Sequence, residues 1–293
     1  MRGARARSLS PRRRRLQLRQ TFDRSVDREW RRFALEPHRR LRGELRARFL
    51  RKHLSGVRGR VLELGPGPGR FSPEVLRSRG ASLLAVDLSR EGLLHDRKVV
   101  RRAGGERRSN WVQGAGEHLP LQDRSVVATV LLGNLVCMAA RDGEKFLREV
   151  ARVTRPGGDL IVDFCPAVGA VQDFLFTISQ NRRLPRVLRD PEFYLVDQVL
   201  RTGFQPFAPE RWSRWEFSFY TAREARAMLA RVGFRVGDSM AVAPLAAFQP
   251  DVARIALRDP RTWRNLLELE ERAGREPEVH STGQGFVMAA RRR

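Results

Sequence analysis

The chain has 293 residues, 41% of them hydrophobic, enough to bury the core of one large domain with insertions or of two small ones. Its formal net charge of +24 allows a nucleic-acid partner without favouring one: Lys52, Lys98 and Lys145 are the only lysines among 57 basic residues, an arginine bias of composition, and residues 1–60 hold 21 basic against 5 acidic side chains. Two cysteines exclude a disulfide framework, five scattered histidines give no metal-ligand spacing, and the longest apolar stretch, residues 126–140, is too short and too interrupted to span a bilayer, so a cytoplasmic setting without metal or membrane span is expected.

Residues 1–22 are arginine-rich, free of acids and poor in apolar side chains, which predicts a disordered tail. No apolar h-region follows, which argues against a secretory signal. Over residues 23–56 the pattern turns helical, with Trp30, Phe33, Leu41, Leu45, Phe49 and Leu50 at roughly helical intervals. Pro37 divides this run into two helices, expected to pack on the sheet or cover a ligand.

Strand one is expected over 60–64. Gly65, Gly67 and Gly69 follow at alternate positions, and a helix is expected over 71–79. A strand that turns over glycines into a helix lets the backbone approach a ligand closely and aims the helix N-terminus at it. Pro66 and Pro68 stiffen the turn and remove two donors. A dinucleotide fingerprint needs its third glycine at position 70, which is Arg70, so a nicotinamide oxidoreductase is disfavoured. Strand two, 82–86, runs into Asp87, an acid placed to accept hydrogen bonds from both ribose hydroxyls of a bound nucleoside. Its other reading is an N-cap for the next helix, a job that Ser89 can fill.

A helix over 91–102, strands over 110–113 and 126–132, a helix over 143–152 and a strand over 159–164 continue the alternation. Arg155-Pro156-Gly157-Gly158 is the stop signal between the last two. Strands alternating with helices predict a parallel sheet with right-handed crossovers. Residues 166–219 break the rhythm with two apolar helices, 168–180 and 192–201, and the aromatic stretch Trp212, Trp215, Phe217, Phe219. Pro185, Pro191, Pro206 and Pro209 cut this span into short pieces, and it reads as a cap or mobile lid. Thr221 and Glu224 form a capping-box pattern before a helix over 222–232, then strand six spans 234–243. A helical insertion, 244–280, precedes the last strand at 285–290, so the core is 57–165 with 220–293.

Glu63-Leu64-Gly65-Pro66-Gly67-Pro68-Gly69, then Val86-Asp87-Leu88-Ser89, then Gly114-Ala115-Gly116-Glu117-His118-Leu119-Pro120, then the run from Leu147 to Gly158, stand in order and at normal spacing. Together they resemble the class I S-adenosylmethionine-dependent methyltransferases, in particular the small-molecule branch related to quinone-biosynthesis C-methyltransferases, over residues 23–291. The resemblance implies a Rossmann-like, seven-stranded, mostly parallel sheet of order 3-2-1-4-5-7-6, last strand antiparallel, with helical cap insertions. It implies S-adenosylmethionine as cofactor, held by Glu63, Leu64, Gly65, Pro66, Gly67 and Gly69, by Asp87 and Leu88, by Ala115, Gly116 and Glu117, and by Leu132 and Gly133. Two positions depart from the family pattern. The aspartate that contacts the adenine amino group is Ala115, which leaves adenine to the backbone, Gln113 or Glu117, and the acid common at the start of strand four is Val127.

Methyl transfer is an in-line displacement with a neutral, already activated leaving group, so such an enzyme mainly aligns the reactants. A general base is needed only when the nucleophile carries a proton. No catalytic dyad stands out; Asn134, placed after strand four where the methyl should lie, His118, Tyr194 and Tyr220 are weak candidates. The aromatic cap suits an uncharged or aromatic small-molecule acceptor. The alternatives are an RNA or protein methyltransferase, which the basic N-terminus supports, and a non-catalytic cofactor-binding protein, which Ala115 supports.

Overall fold

The computed structural model describes residues 9–180, 192–207 and 215–293. Its central sheet is built from β1 (Gly59–Leu64), β2 (Ala81–Asp87), β3 (Ser109–Gln113), β4 (Val126–Leu131), β5 (Thr154–Phe164), β8 (Phe234–Val242) and β9 (Gly285–Arg292). β6 (Phe204–Gln205) and β7 (Phe217–Ser218) form a separate two-stranded ribbon. The order of the large sheet is β3-β2-β1-β4-β5-β9-β8. Counting its own seven strands, this is the expected 3-2-1-4-5-7-6. The pairings among the first five strands are parallel, and β9 runs antiparallel to both of its neighbours.

Strands buried on both faces read as apolar runs with a period of two. Val61, Leu83, Ala85, Ala128, Val130 and Ile161 point to one face, and Leu62, Leu84, Val86, Leu131, Leu160 and Val162 to the other. The first face is covered by α2 (Pro37–Leu54), α3 (Ser72–Val75) and α4 (Arg90–Arg102). The second is covered by α5 (Leu135–Met138) and α6 (Gly143–Val153), with the helix Ala222–Arg231 beyond them. Cys137 and Cys165 are buried free thiols in the second layer.

The N-terminal segment differs from the expected tail. Residues 11–22 are the first half of a 25-residue helix, α1 (Pro11–Leu35), and the boundary expected at 22/23 falls inside it. Ser10 caps the start and Pro11 fits the first turn, where no donor is missed. The Arg14 guanidinium, 4% exposed, is not a solvated charge. It donates to Glu216 Oε2 at 3.0 Å, Asp142 Oδ2 at 2.8 Å and the Ala139 carbonyl at 2.8 Å. Residues 1–8 lie outside the described residues.

Two further boundaries move. The helix expected over 71–79 is a single turn, α3, because Arg108 donates to the carbonyls of Leu76, Ser78 and Ala81 at 2.9–3.1 Å and satisfies that segment without more helix. β5 begins at Thr154, pairing with Val126 before a register shift between Val126 and Ala128. Of the expected cap, α7 (Ala167–Gln180), α8 (Glu192–Thr202) and the small ribbon are described. Pro185, Pro191, Pro209 and Trp212 lie outside the described residues.

Candidate active site

A cavity of about 340 Å³ opens at the carboxyl ends of β1, β2 and β4. This is where the sheet order reverses, the position at which open α/β folds bind ligands. The loop after β1 forms its floor. Gly65 has φ +61° and donates its N–H to the Val86 carbonyl at 2.7 Å; a Cβ there would lie 2.3 Å from Leu135 Cδ2. Gly67 has φ +53°, and a Cβ on it would meet nothing within 4 Å, because that side faces the cavity. Its N–H donates to Asp87 Oδ2 at 2.9 Å.

Asp87 is therefore fixed rather than free. Its other oxygen, Oδ1, accepts the Ser89 N–H at 2.8 Å. Ser89 is the N-cap of α4, its hydroxyl accepting from the Gly92 N–H at 2.9 Å. A carboxylate offers about four acceptor sites, so two remain on Asp87 for donors from the cavity. Burial pushes its pKa up to about 6, against the opposing pull of the two backbone donors.

Gly69 and Glu63 sit elsewhere than expected. Neither lines the cavity. At Gly69, φ is +83° and a Cβ would lie 2.3 Å from Asp96 Oδ1 and 2.7 Å from Asp96 Cα, so this glycine lets the loop pack on α4. Glu63 is 2% exposed and accepts the Ser72 hydroxyl at 2.7 Å beneath the loop. Burial first, then neighbouring Asp96, pushes its pKa up to about 8. A neutral carboxylic acid under the loop braces it; it is not a cavity-facing acceptor.

The other expected cofactor residues divide in the same way. Leu64, Pro66, Leu88, Gly116, Glu117, Leu132 and Gly133 line the cavity; Ala115 does not, and it pairs with His118 in an isolated bridge. Gln113 is exposed and donates to the Leu88 carbonyl at 3.0 Å, away from the cavity. Glu117 remains as the cavity-facing polar side chain of that segment.

Of the catalytic candidates whose side chains are described, Asn134 lines the cavity and His118 and Tyr220 do not. It sits at φ 61°, a left-handed conformation that asparagine tolerates. Its N–H donates to Asp163 Oδ1 at 2.7 Å and that of Gly133 does so at 3.0 Å. Asp163, fully buried, also accepts Arg46 Nε at 3.0 Å, so an ion pair between α2 and β5 holds this turn. The Asn134 Oδ1 atom is buried without a hydrogen-bond partner among the described residues. His118 is exposed. Tyr220 packs edge-on against Phe164, its hydroxyl 3.4 Å from the Ala140 carbonyl, and burial raises its pKa to about 12. Tyr194 belongs to α8; its side chain lies outside the described residues.

The sequence predicts that the N-terminal helices pack on the sheet or cover a ligand, but it assigns the part of the roof before residue 23 to a disordered tail. Leu18, Phe22, Val26, Glu29 and Phe33 of α1 line the cavity, and their four- and three-residue spacing was the readable signal. Asp23 accepts the Ser89 hydroxyl at 2.7 Å, and Trp30 packs on His95, whose ring faces the Pro68 carbonyl. Arg70, the residue that broke the dinucleotide spacing, stacks its guanidinium over Phe33 at 3.8 Å. These contacts clamp α1 over the loop.

Residues 62–162 match the family described as a methyltransferase domain. The demethylmenaquinone methyltransferase of Mycobacterium marinum is 36% identical over 151 residues, 48% of this chain and 58% of that protein. The ubiquinone/menaquinone biosynthesis C-methyltransferase of Haemophilus ducreyi is 31% identical over 149 residues, 48% of this chain and 57% of that protein. The chain thus spans a little over half the length of these curated relatives. Among solved structures, the Burkholderia thailandensis 1,6-didemethyltoxoflavin-N1-methyltransferase, with 1,6-didemethyltoxoflavin and S-adenosylhomocysteine bound, superposes with a TM-score of 0.58 at 18% identity, covering 99% of this chain and 93% of that one. That likeness extends the fold assignment to the N-terminal helices and the insertions. Residues 62–162 are thus similar to a methyltransferase domain, and the strand order is the one that the resemblance to class I S-adenosylmethionine-dependent methyltransferases implies.

Proposed function

We propose that the protein transfers the methyl group of S-adenosylmethionine to a small-molecule acceptor held in the same cavity. One observation carries this reading: a single cavity joins the Gly67 turn and the Asp87 carboxylate to the Asn134 turn, under the apolar roof of α1. The residues fit the cofactor, since Gly67 leaves open the space that a Cβ would fill and Asp87 keeps two acceptor sites for ribose hydroxyls. S-adenosylmethionine, when bound, supplies a methyl on an activated sulfonium. The chain's own part is alignment. Asp87 and the Gly67 backbone fix the nucleoside end, Glu117 is the cavity-lining polar side chain of its segment for the adenine edge, and the Asn134 turn stands on the acceptor side. Leu18, Phe22 and Phe33 keep water away from the reacting centre. Among the described residues that line the cavity there is no histidine or tyrosine, which favours an acceptor that reacts as an anion or a carbanion over one needing a strong base.

The named acceptors of the relatives and of the toxoflavin-precursor enzyme are small molecules, which supports the acceptor class. The arginines of the N-terminal helices do not favour an RNA: Arg14, Arg46, Arg48 and Arg51 each face a carboxylate of the fold. Incubation with cofactor labelled in the methyl group, against a small-metabolite extract and an RNA pool in parallel, tests the proposal. Label is expected in the metabolite fraction; label in RNA alone, or none with bound cofactor, overturns it.

A further inference from the structure

Beside the cavity, α2 carries His38, Arg42 and Arg46 at four-residue intervals on one buried face, 7%, 1% and 7% exposed. Arg39 and Arg46 line the cavity, and both are paired: Arg39 with Glu36, Arg46 with Asp163. Arg42 is not. Both of its terminal guanidinium nitrogens are buried without a hydrogen-bond partner among the described residues, and the carboxylate facing it, Asp173, stands off at 3.8 Å. That distance is an ion pair without a hydrogen bond. The neighbouring acids are engaged otherwise. Asp163 serves Arg46 and the Gly133 and Asn134 N–H groups, and Glu36 serves Arg39. Asp173 accepts a long 3.4 Å contact from Gln284, a residue of the cavity wall. Gln284 thus links the cavity wall to Asp173, the carboxylate that faces Arg42.

Burying a guanidinium whose fork is empty is strongly unfavourable, and proteins retain such an arrangement where a ligand completes it. Burial, with Arg39 adding to it, lowers the Arg42 pKa to about 9, so the side chain is still a cation at neutral pH. His38, the nearest neutral alternative, has its pKa lowered to about 4 by burial and Arg42, so it adds no competing charge. A planar fork with two free arms matches an oxyanion, which it grips with two parallel hydrogen bonds.

We propose that the methyl acceptor carries an oxyanion, a carboxylate or a phosphate, and that Arg42, with Arg39 and Arg46 beside it, forms the subsite that receives it as Gln284 turns aside. The proposal rests on the methyltransferase reading for the word acceptor, and it departs from the uncharged class expected from the cap while leaving an aromatic acceptor open. It also sets an orientation: the anionic end lies on the α2 side of the cavity, next to the Arg46–Asp163 pair that holds Asn134.

The test uses the full chain saturated with S-adenosylhomocysteine. Its thermal midpoint is followed against inorganic phosphate and against benzoate, with chloride at matched ionic strength as the reference. The parent is expected to gain a saturable rise with one of the two probes beyond chloride. Arg42→Met is expected to raise the half-saturating concentration at least about tenfold. Without added anion, the same variant should melt at or above the parent, because an unpaired buried charge is gone. Arg42→Lys should keep the charge and still lose most of the response, since a point charge lacks the fork. A parent that responds no more than to chloride, an Arg42→Met variant with the parent's response, or one that melts well below the parent in chloride would each overturn the subsite; the last assigns Arg42 to structure. Calorimetry of S-adenosylhomocysteine on the parent is run alongside: absence of binding there overturns the methyltransferase reading, independently of the anion result.

Discussion

Replacing Asp87 by asparagine separates two roles that its position combines. The side chain keeps its shape, but only one of its two polar atoms can still accept, so either the Gly67 or the Ser89 N–H loses its partner. The free protein loses one backbone contact and is relieved of a disfavoured charge. With a pKa of about 6 against 3.8 unfolded, ionised Asp87 opposes folding by at most about 3 kcal/mol, less in proportion to the solvent screening it receives at the cavity wall. Fold stability should therefore change little. Cofactor binding should change a great deal. Two charge-assisted hydrogen bonds from ribose hydroxyls are each worth about 1.5–3 kcal/mol, so their loss weakens binding by roughly two orders of magnitude or more.

The pH dependence gives the sign that distinguishes the roles. A carboxyl whose folded pKa is raised takes up its proton in the folded state first. Asp87 thus adds to stability as pH falls from about 6 towards 3.8, and that gain is lost as pH rises back through 6. Ribose binding needs the ionised form, so affinity for S-adenosylhomocysteine runs the other way and falls below pH 6, by up to about tenfold per unit. Isothermal titration of parent and Asp87→Asn from pH 8 to pH 5, paired with urea unfolding over the same range, reads both. Glu63→Gln is the control, because Glu63, with its pKa raised to about 8, titrates beneath the loop in the same experiment. An affinity within threefold of the parent for Asp87→Asn, or a parent affinity that is flat across this range, refutes the ribose role and leaves Asp87 as a brace for the loop.

Four other substitutions probe the same architecture. Gly67→Val places a branched side chain at φ +53° and into the open side of the turn, and should abolish S-adenosylhomocysteine binding by calorimetry while far-ultraviolet circular dichroism stays that of the parent; undiminished binding would mean that the ligand does not cross this loop. Gly69→Ala meets the backbone of Asp96 at 2.7 Å, whereas Gly56→Ala, at a similar φ of +77°, meets nothing within 4 Å. Urea unfolding should show about 1 kcal/mol of strain for Gly56→Ala and a clearly larger loss, to about 3 kcal/mol, for Gly69→Ala; equal losses would remove α4 packing as the reason for that glycine. Arg14→Met leaves Glu216, 1% exposed, without its cation, and should destabilise the docked α1 by about 3–5 kcal/mol. Trypsin cleavage within residues 11–35 should then be much faster than in the parent, and an unchanged cleavage rate would show that α1 is held by its apolar face alone.

What the sequence disclosed was what local spacing can encode. The apolar runs of the strands, the alternate glycines and the acid at the end of β2 are written within a few residues of one another, and the family resemblance that they help to carry implied the sheet order that is found. What it concealed depends on partners far along the chain. Gly69 reads like a ligand-binding glycine, and only the approach of Asp96 from α4 gives it a packing role. Glu63 reads as an acceptor facing the cofactor until Ser72 and the burial of the strand end turn it inward. The run Arg12 to Arg15 looks like a solvated tail, because the carboxylates that bury Arg14 stand 128 and 202 residues away. The same reasoning reinterprets the charge imbalance. Part of the positive charge at the N-terminus grips the core: Arg14 on Asp142 and Glu216, Arg46 on Asp163, Arg48 on Glu271 and Lys52 on Asp238. Each of these pairs ties α1 or α2 to an element that frames or supports the cavity. Four basic residues of a segment whose composition allows a nucleic-acid partner thus fasten the helices beside the cavity, and Arg42, the buried arginine of α2 left without a hydrogen-bonded acid, is the one on which the proposed anion subsite rests.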